Sequence, residues 1–322
     1  MNRRGFTQSL LAGAVVSALP RFAIAQGSPV RFILPNAAGS GVDAITRAAQ
    51  PALAAALGTS IVIDNQPGAG GVVGLQALAR SAPDGTTLSV VSNNVVIFPS
   101  VLKSLPFDMP GDFTPIAVIG ATPMVLVVNP AKMTATNHRE FMAQLKAKPG
   151  DYNYGSGGNG TILHLATELY LDAAGLKAKH IPYKGVGPMV ADLLGGQIDF
   201  ATAALPSVQG HIGTGKLRAV GVYPAQRTPA APTVPTFAEQ GLANFEVEAW
   251  FGVLGPKGMA PAAVKKVHDA LTAAFADPAV RDAMAKQGNT IRVGTTEQAQ
   301  AAFRSELAKY AALVKKVGLE PQ

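Results

Sequence analysis

The chain has 322 residues and a formal net charge of +7, and 48% of its residues are hydrophobic while 15% are charged. This composition excludes an intrinsically disordered chain, and the length is enough for two domains of ordinary size. Cysteine is absent, which excludes disulfides and thiolate metal sites, and the basic residues form no cluster of the kind that nucleic-acid binding requires.

Residues 1–25 have the pattern of an export signal. Residues 2–6 read Asn-Arg-Arg-Gly-Phe, an apolar run covers residues 10–19, and residues 23–25 have the small-x-small form of a signal-peptidase site. The apolar run is about half as long as a membrane-spanning helix. A membrane anchor is the alternative, but we expect a twin-arginine-type signal peptide, cleaved before Gln26, and a periplasmic mature protein.

The first half of the mature chain alternates strands with helices. Residues 30–34 predict a strand, and a glycine-containing turn at 35–43 leads into a helix. Further strands are expected at 61–63 and 87–91, with a helix at 72–80 between them. This alternation predicts an α/β fold whose mainly parallel sheet binds ligands beyond the carboxyl ends of its strands.

The second half continues the pattern and ends in helices. Strands are predicted at residues 124–128, 152–154, 180–183, 217–222 and 250–254. Helices are predicted at residues 136–148, 161–171, 189–194, 262–275, 279–286 and 297–317. Two aromatic-containing segments, residues 106–108 and 112–116, are expected to be loops.

The most informative stretch is the glycine-rich turn between the strand at 152–154 and the helix that opens near Thr161. Residues 155–160 read Gly-Ser-Gly-Gly-Asn-Gly. The first N–H groups of a helix lack intrahelical partners and attract negative charge, and glycine lets a ligand approach the backbone closely. We therefore interpret residues 155–161 as a cradle for a small anion, and we call them the cradle turn.

Two other interpretations of the cradle turn stay open at this point. Its glycines fit G-x-G-x-x-G, but a lone match is weak, and no acidic residue stands at the tip of the next strand to hold a ribose. A plain structural turn is the other. Ser156 is not in G-x-S-x-G, because Tyr154 replaces the first glycine, although Ser156 and His164 could in principle form a nucleophile–base pair.

The earlier turn at residues 35–43 offers a second helix start. Ser40 and Asp43 fit the S-x-x-D capping box, and capping is a sufficient account of both side chains. The functional interpretation concerns the backbone N–H groups, which can face an anion. The five histidines show no metal-ligand spacing, so no metal and no cofactor are expected.

Taken together, the landmarks of the mature chain resemble one family. They are the turn at 35–43, Asn65 with residues 67–71, Pro83-Asp84-Gly85, Leu105-Pro106-Phe107-Asp108, residues 112–116, Tyr154-Gly155-Ser156 with residues 158–160, residues 182–185, residues 192–197 with Asp199, and Trp250 with Gly252. The chain resembles the Bug-type periplasmic solute receptors, which are the extracytoplasmic substrate-binding subunits of tripartite tricarboxylate transporters.

The resemblance implies a two-lobed periplasmic binding protein fold in which two crossover strands form the hinge. Lobe one would hold residues 27–125 plus 251–322, and lobe two residues 126–250. It further implies a monomeric receptor, not an enzyme, that binds a small carboxylate between the lobes and meets membrane permease subunits. The expected ligand-binding residues are Asn36, Ala38, Gly39, Ser40, Asp43, Ser92, Asn93, Ser156, Gly158, Asn159, Gly160, Thr161, His164, Gly185, Thr202 and Ala203.

This sequence departs from the family pattern at several of these positions. The family usually has an aromatic residue at Asn36, a glycine at Ser40 and an arginine at Gln66, and it often has Phe-Asp-Asn at residues 202–204, which read Thr-Ala-Ala here. The last change removes a carboxylate that would meet an amino group. Our hypothesis is that the ligand is not an amino acid and is a bulkier, less polar acid.

Overall fold

The computed structural model describes residues 28–242, 245 and 247–321, so the predicted export signal and its cleavage point lie outside the described residues. The strands are β1 Val30–Leu34, β2 Ile61–Asn65, β3 Thr87–Ser92, β4 Phe113–Thr122, β5 Met124–Val128, β6 Asn153–Ser156, β7 Lys179–Pro182, β8 Phe200–Ala204, β9 Arg218–Val222, β10 Ala249–Pro256 and β11 Thr290–Ile291. The helices are α1 Gly41–Leu57, α2 Val72–Ala79, α3 Asn94–Val101, α4 His138–Ala147, α5 Ile162–Ala174, α6 Val186–Leu194, α7 Leu205–Gly213, α8 Pro261–Ala276, α9 Pro278–Lys286 and α10 Thr296–Lys316.

The strands form two sheets, and each sheet with its helices forms one lobe. The first sheet has the order β11-β4-β10-β3-β1-β2 and the second β7-β6-β8-β5-β9. Helices α1 and α8 cover one face of the first sheet, while α2, α3 and α10 cover the other. In the second lobe α6 and α7 lie on one face and α4 and α5 on the other.

The two-lobed α/β fold expected from the sequence is confirmed, but the sheets are mixed where mainly parallel sheets were expected. In the first sheet β1 pairs in parallel with β2 and β3, whereas β10 runs antiparallel to β3 and β4. In the second, β5 is antiparallel to β8 and β9. The antiparallel strands are those next to the crossings, because the chain enters each sheet there from the opposite lobe.

The chain passes between the lobes at Pro123, which separates β4 from β5, and again before β10. The C-terminal helix α10 packs on β4 and α3 of the first lobe, and Lys316 at its end lies 3.4 Å from Asp172 of α5 in the second. One hydrophobic cluster runs through both lobes beneath this helix. The residue limits given above for the lobes stay a prediction.

Several elements differ from the sequence expectation, among them the short strand β11, which was not predicted. Residues 113–116, expected as loop, open the ten-residue strand β4. Helices α3 and α7 were not predicted; α3 reads Asn-Val-Val-Ile-Phe-Pro-Ser-Val, whose β-branched residues and proline disfavour a helix. Packing against α10 overrides that local preference, since six of its eight residues are buried.

Among the described residues, no helix is long and apolar enough to cross a membrane.

Candidate functional site

A cavity of about 820 Å³ lies between the lobes, at the carboxyl ends of the parallel strands. The first lobe contributes the segments after β1 and β2, residues 35–37, 40–42 and 67–71. The second contributes the segments after β6 and β7, residues 157–159, 161–163 and 182–186. Strands β3, β4, β8 and β10 close the end near the hinge through Ser92, Thr122, Ala204, Ala249 and Phe251. We call this cavity the cleft.

The turn after β1 is held by hydrogen bonds among its own residues. Ser40 caps α1, since its Oγ accepts from the Asp43 N–H at 3.3 Å. The Ser40 N–H donates to the Ala37 carbonyl at 3.2 Å, and the Gly39 N–H donates to Asp43 Oδ2 at 2.9 Å. Two of the amides that the sequence assigned to the ligand are therefore occupied within the turn.

Asp43 anchors this turn to the lobe and does not line the cleft. Its Oδ1 accepts from Arg47 Nε at 2.9 Å and from Asn65 Nδ2 at 3.1 Å. Burial alone would raise the pKa of the Asp43 carboxyl, but the hydrogen bonds from Arg47, Gly39 and Asn65 outweigh it and hold the pKa below its ordinary value. The ionised carboxylate therefore stabilises the turn, and its ion pair with Arg47 offsets its negative charge.

The amides of the cradle turn are likewise bonded within the chain. The Gly158 N–H donates to Ser156 Oγ at 3.1 Å, the Gly160 N–H to His164 Nδ1 at 3.1 Å, and the Thr161 N–H to the Gly158 carbonyl at 3.3 Å. Thr161 caps α5. The turn is thus a rigid, prefolded element. The amide that follows it, that of Ile162, donates to Asn94 Oδ1, and the first free donor at the start of α5 is the Leu163 N–H.

A stack of aromatic rings supports the cradle turn from below. His164 lies on His180 with ring centroids 3.8 Å apart, and the Tyr154 ring stacks on His180 at 4.9 Å. The Tyr154 hydroxyl donates to Glu168, whose Oε1 is 4.0 Å from His164 Nε2. His180 Nε2 lies 2.7 Å from Ser156 Oγ. The sequence left a pair of Ser156 with His164 open as an alternative, but in the structure Ser156 bonds to His180 instead.

Both imidazoles in this stack are neutral. Burial, and secondly the neighbouring His180, lowers the pKa of His164 to about 3, and burial lowers the pKa of His180 to about 4. Because His164 Nδ1 accepts the Gly160 N–H, its proton must sit on Nε2, on the side of Glu168. His164 therefore orients the turn and does not face the cleft.

Several residues that line the cleft lie at helix starts and have N–H groups without an acceptor in the described chain. They include Gly41 and Val42 at the start of α1 in the first lobe and Leu163 at the start of α5 in the second, besides the first residues of α3 and α6, Asn94 and Val186. Gly41 packs closely on the hinge wall, since a Cβ there would lie 3.2 Å from the ring of Phe251. Two helix N-termini from opposite lobes therefore bring unpaired donors to the lining of one cavity.

The described lining of the cleft carries a positive charge and no negative charge. Lys184 is the only charged residue among the described residues that line it, and it lies at the start of α6 beside Gly185, whose φ is +119°. No aspartate or glutamate is in that lining. Positive helix ends, one cation and no carboxylate together favour an anion.

The hinge wall carries hydroxyl and amide groups between apolar residues. Ser92 and Asn94 line the cleft, as does Thr122, which is 3% exposed and whose Oγ1 has no hydrogen-bond partner in the described chain. Asn93 lies behind this wall, with its Nδ2 donating to the Glu248 carbonyl at 2.9 Å and to the Tyr310 hydroxyl at 2.6 Å.

Thr202 and Ala203 lie on β8 and are fully buried. The Thr202 hydroxyl bonds to Thr167 at 2.8 Å and to Tyr223 at 2.6 Å. Ala203 packs in the core beneath α6 and α7. Of the three positions where the family often has Phe-Asp-Asn, only Ala204 reaches the cleft.

The structure thus divides the residues assigned from sequence. Those that line the cleft are Asn36, Ser40, Ser92, Gly158, Asn159, Thr161 and Gly185. Those that lie outside its lining are Ala38, Gly39, Asp43, Asn93, Ser156, Gly160, His164, Thr202 and Ala203. Their role in binding stays a prediction; the bonds described above show that most of the second group support the segments that carry the first.

Sequence reasoning missed five residues that line the cleft at a helix start or in the hinge wall. They are Gly41, Val42, Asn94, Thr122 and Leu163. The capping pattern already pointed to Gly41 and Val42, since the free N–H groups of a helix follow its cap. Nothing in the sequence distinguishes Thr122 from other strand residues.

A second, shallower cavity of about 520 Å³ lies on the first lobe between α8 and the start of α10. Its lining includes the ion pair of Lys265 with Asp269, and His268, whose Nε2 lies 2.8 Å from the Gly294 carbonyl. No group of three or more metal-ligating side chains occurs in the described part of the chain.

Two α/β lobes around a cleft, joined by crossing strands, define the fold of a solute-binding protein of the periplasmic type. The tripartite tricarboxylate transporter family receptor, TctC, matches residues 45–319. The chain belongs to this family, whose members are periplasmic solute receptors.

Individual relatives agree with this assignment. The BugT protein of Bordetella pertussis strain Tohama I is 35% identical over 292 residues, which is 90% of this chain and 89% of BugT. The structure of R. palustris Rpa4515 with adipate is 26% identical with a TM-score of 0.88, covering 92% of this chain and 99% of that one. MatC from Rhodopseudomonas palustris, with bound malate, is 27% identical with a TM-score of 0.81, covering 89% and 98%.

Proposed function

We propose that this chain is a periplasmic receptor that captures a small organic dicarboxylate in the cleft and releases it to a membrane transporter. The observation that carries the proposal is the set of unpaired N–H groups of Gly41, Val42 and Leu163, which face one cavity from opposite lobes. A carboxylate with an oxygen toward each lobe satisfies donors on both sides. Binding then favours the closed arrangement of the lobes.

Hydrogen bonds from peptide groups are sufficient for this task. Hydrogen bonds to a charged partner contribute about 1.5–3 kcal/mol each, and a helix N-terminus adds about 0.3–1 kcal/mol or somewhat more when partly buried. Lys184 at the start of α6 offers a cation for a second carboxylate at the mouth of the cleft. Amides fixed in helices need no reordering when the ligand arrives, so little of this interaction is lost to entropy.

The chemistry of the lining selects the class of acid. An amino acid brings an ammonium group, and the described lining offers no carboxylate to meet it. Phe251, Ala204 and Ala249 supply an apolar wall for a carbon chain. The adipate and malate found in two relatives are dicarboxylates of this kind, and the cavity of about 820 Å³ has room for such an acid with ordered water.

Calorimetric titration of the mature chain tests the proposal. The ligands are adipate, malate, hexanoate, aspartate and glutamate, with dimethyl adipate as a control of the same shape without charge. We expect binding of at least one dicarboxylate, no binding of the ester, and stabilisation against heat of about 2.7 kcal/mol at a ligand concentration of 100 Kd. Stabilisation by aspartate or glutamate alone, or equal binding of the ester, would refute it.

We infer further that the cradle turn has no hydrolytic role. Ser156 is fully buried, lies outside the cleft lining and is bonded to His180 and to the Gly158 backbone, so its hydroxyl has no path to a substrate. Incubation with activated esters should give no turnover. Turnover that the substitution Ser156→Ala abolishes would favour an enzyme.

We propose further that the receptor delivers its ligand to permease subunits, and the support for this step is membership of the transporter receptor family. Uptake of a labelled dicarboxylate into vesicles that contain the permease subunits of such a transporter is the test. We expect uptake to depend on added receptor; uptake that is equal without it would contradict delivery. We also expect the exported chain to be found in a periplasmic extract as a monomer.

A further inference from the structure

Asn94 joins the two lobes. It is the first residue of α3 in the first lobe, and its Oδ1 accepts the Ile162 N–H, at the start of α5 in the second lobe, at 2.7 Å. Val101, at the other end of α3, touches the cradle turn: a Cβ on Gly160 would lie 2.2 Å from Val101 Cγ2. Helix α3 therefore rests on the start of α5.

The bond to Ile162 also fixes the orientation of the Asn94 carboxamide. An N–H group needs an acceptor, so the side chain must turn its oxygen to Ile162 and its nitrogen away. No acceptor for Asn94 Nδ2 occurs in the described chain, and this atom is not among the fully buried polar atoms that lack a partner. Since Asn94 is only 8% exposed and lines the cleft, its open NH₂ group faces the cavity.

We propose that Asn94 is a specificity-determining residue that couples lobe closure to recognition of the acid: its carboxamide oxygen latches onto the start of α5 and its nitrogen donates to an oxygen of the bound carboxylate. When the lobes separate, the oxygen loses Ile162 and the carboxamide is free to rotate. The donor is aimed into the cleft only in the closed form. This inference rests on the proposed function, because it concerns the same ligand.

The same geometry selects against other ligands. Near Asn94 a ligand must present an acceptor, so a carboxylate or hydroxyl oxygen fits and an ammonium group does not. Ser92 on the adjoining wall offers a hydroxyl that serves the same oxygens.

The test uses Asn94→Asp, Asn94→Leu and the control Asn137→Asp. Aspartate keeps an acceptor for Ile162 but removes the donor, whereas leucine removes both. Asn137 caps α4 and lies outside the cleft lining, and aspartate caps equally well there. Affinity for adipate and malate is measured by calorimetry, and closure by the radius of gyration in X-ray scattering with and without ligand.

We expect Asn94→Asp to lower the affinity for the dicarboxylate by about 10- to 100-fold, as for a lost hydrogen bond to a charged group, with the ligand-free radius of gyration unchanged. Asn94→Leu should lower affinity at least as much and also enlarge the radius. Asn137→Asp should match the wild type. Affinity for Asn94→Asp within twofold of the control would overturn the proposal. If the wild type binds none of the acids, the proposed function fails instead, while the scattering of Asn94→Leu still reports on the latch.

Discussion

The contact between Gly160 and Val101 leads to a prediction about the energy of closure. Gly160 has a φ of +69°, and a Cβ there would lie 2.2 Å from Val101 Cγ2 and 2.8 Å from Val101 Cβ. Gly175 has a similar φ of +63°, but a Cβ there meets nothing within 4 Å. The pair Gly160→Ala and Gly175→Ala therefore separates the cost of the left-handed backbone from the cost of the collision.

Both substitutions place alanine in a left-handed conformation, at a cost of about 1 kcal/mol. Gly160→Ala adds the overlap with Val101, for which overpacked sites suggest about 1–3 kcal/mol. Because Val101 and Gly160 belong to different lobes, opening the cleft relieves the overlap without unfolding either lobe. The added cost therefore falls on the closed, ligand-bound state and raises the Kd by about 5- to 150-fold.

The assay is the affinity for a dicarboxylate by calorimetry, with the free energy of unfolding from urea titration of the ligand-free protein. Both variants should lose similar stability, but only Gly160→Ala should lose affinity. Adding Val101→Ala removes the nearer of the two contacts and should restore part of it. Equal affinities of Gly160→Ala and Gly175→Ala would refute the view that α3 meets the cradle turn in the bound state.

Three further predictions concern single side chains. In the unfolded chain imidazole is protonated near pH 6.5, whereas the pKa values of the folded His164 and His180 are about 3 and about 4, so the unfolded state binds more protons as the pH falls. The free energy of unfolding should therefore drop between pH 6.5 and 4 by up to ~1.4 kcal/mol per pH unit for each imidazole. Urea titrations measure this drop, which should be smaller in His164→Asn. Thr122→Val removes a hydroxyl that has no partner, so the ligand-free protein should unfold no more easily than the wild type; a loss above about 1 kcal/mol would show that a hidden bond exists. Lys184→Gln should weaken dicarboxylate binding severalfold and reduce its salt dependence; an unchanged salt dependence would place the second carboxylate elsewhere.

Much of the architecture could be predicted from the sequence because local patterns agree with it. Strand β5, Met124–Val128, has the bounds that its hydrophobic run predicts, and α1 starts at the Ser40 cap that the S-x-x-D pattern predicts. Helix α3 could not be predicted, since its sequence favours a strand and the surface it mainly packs on is the C-terminal helix α10, some 200 residues further along the chain.

The sequence predicted which chain segments border the candidate site, but not which of their N–H groups are free to bind a ligand. Both turns that the sequence singled out border the cleft. The amides within them, such as those of Gly39 and Gly160, are bonded to Asp43 and His164, and these partners are set by tertiary packing. Asn94 depends on a contact with Ile162 that spans the two lobes, so no local pattern marks it.

Amide chemical shifts of ¹⁵N-labelled protein test the central claim most directly. During titration with a dicarboxylate, the N–H signals of Gly41, Val42 and Leu163 should move downfield as each donor gains a charged acceptor, and the bonded amides of Gly39 and Gly160 should move much less. If the acid binds by calorimetry while the signals of Gly41, Val42 and Leu163 stay in place, it is held elsewhere, and the account of the cleft is contradicted.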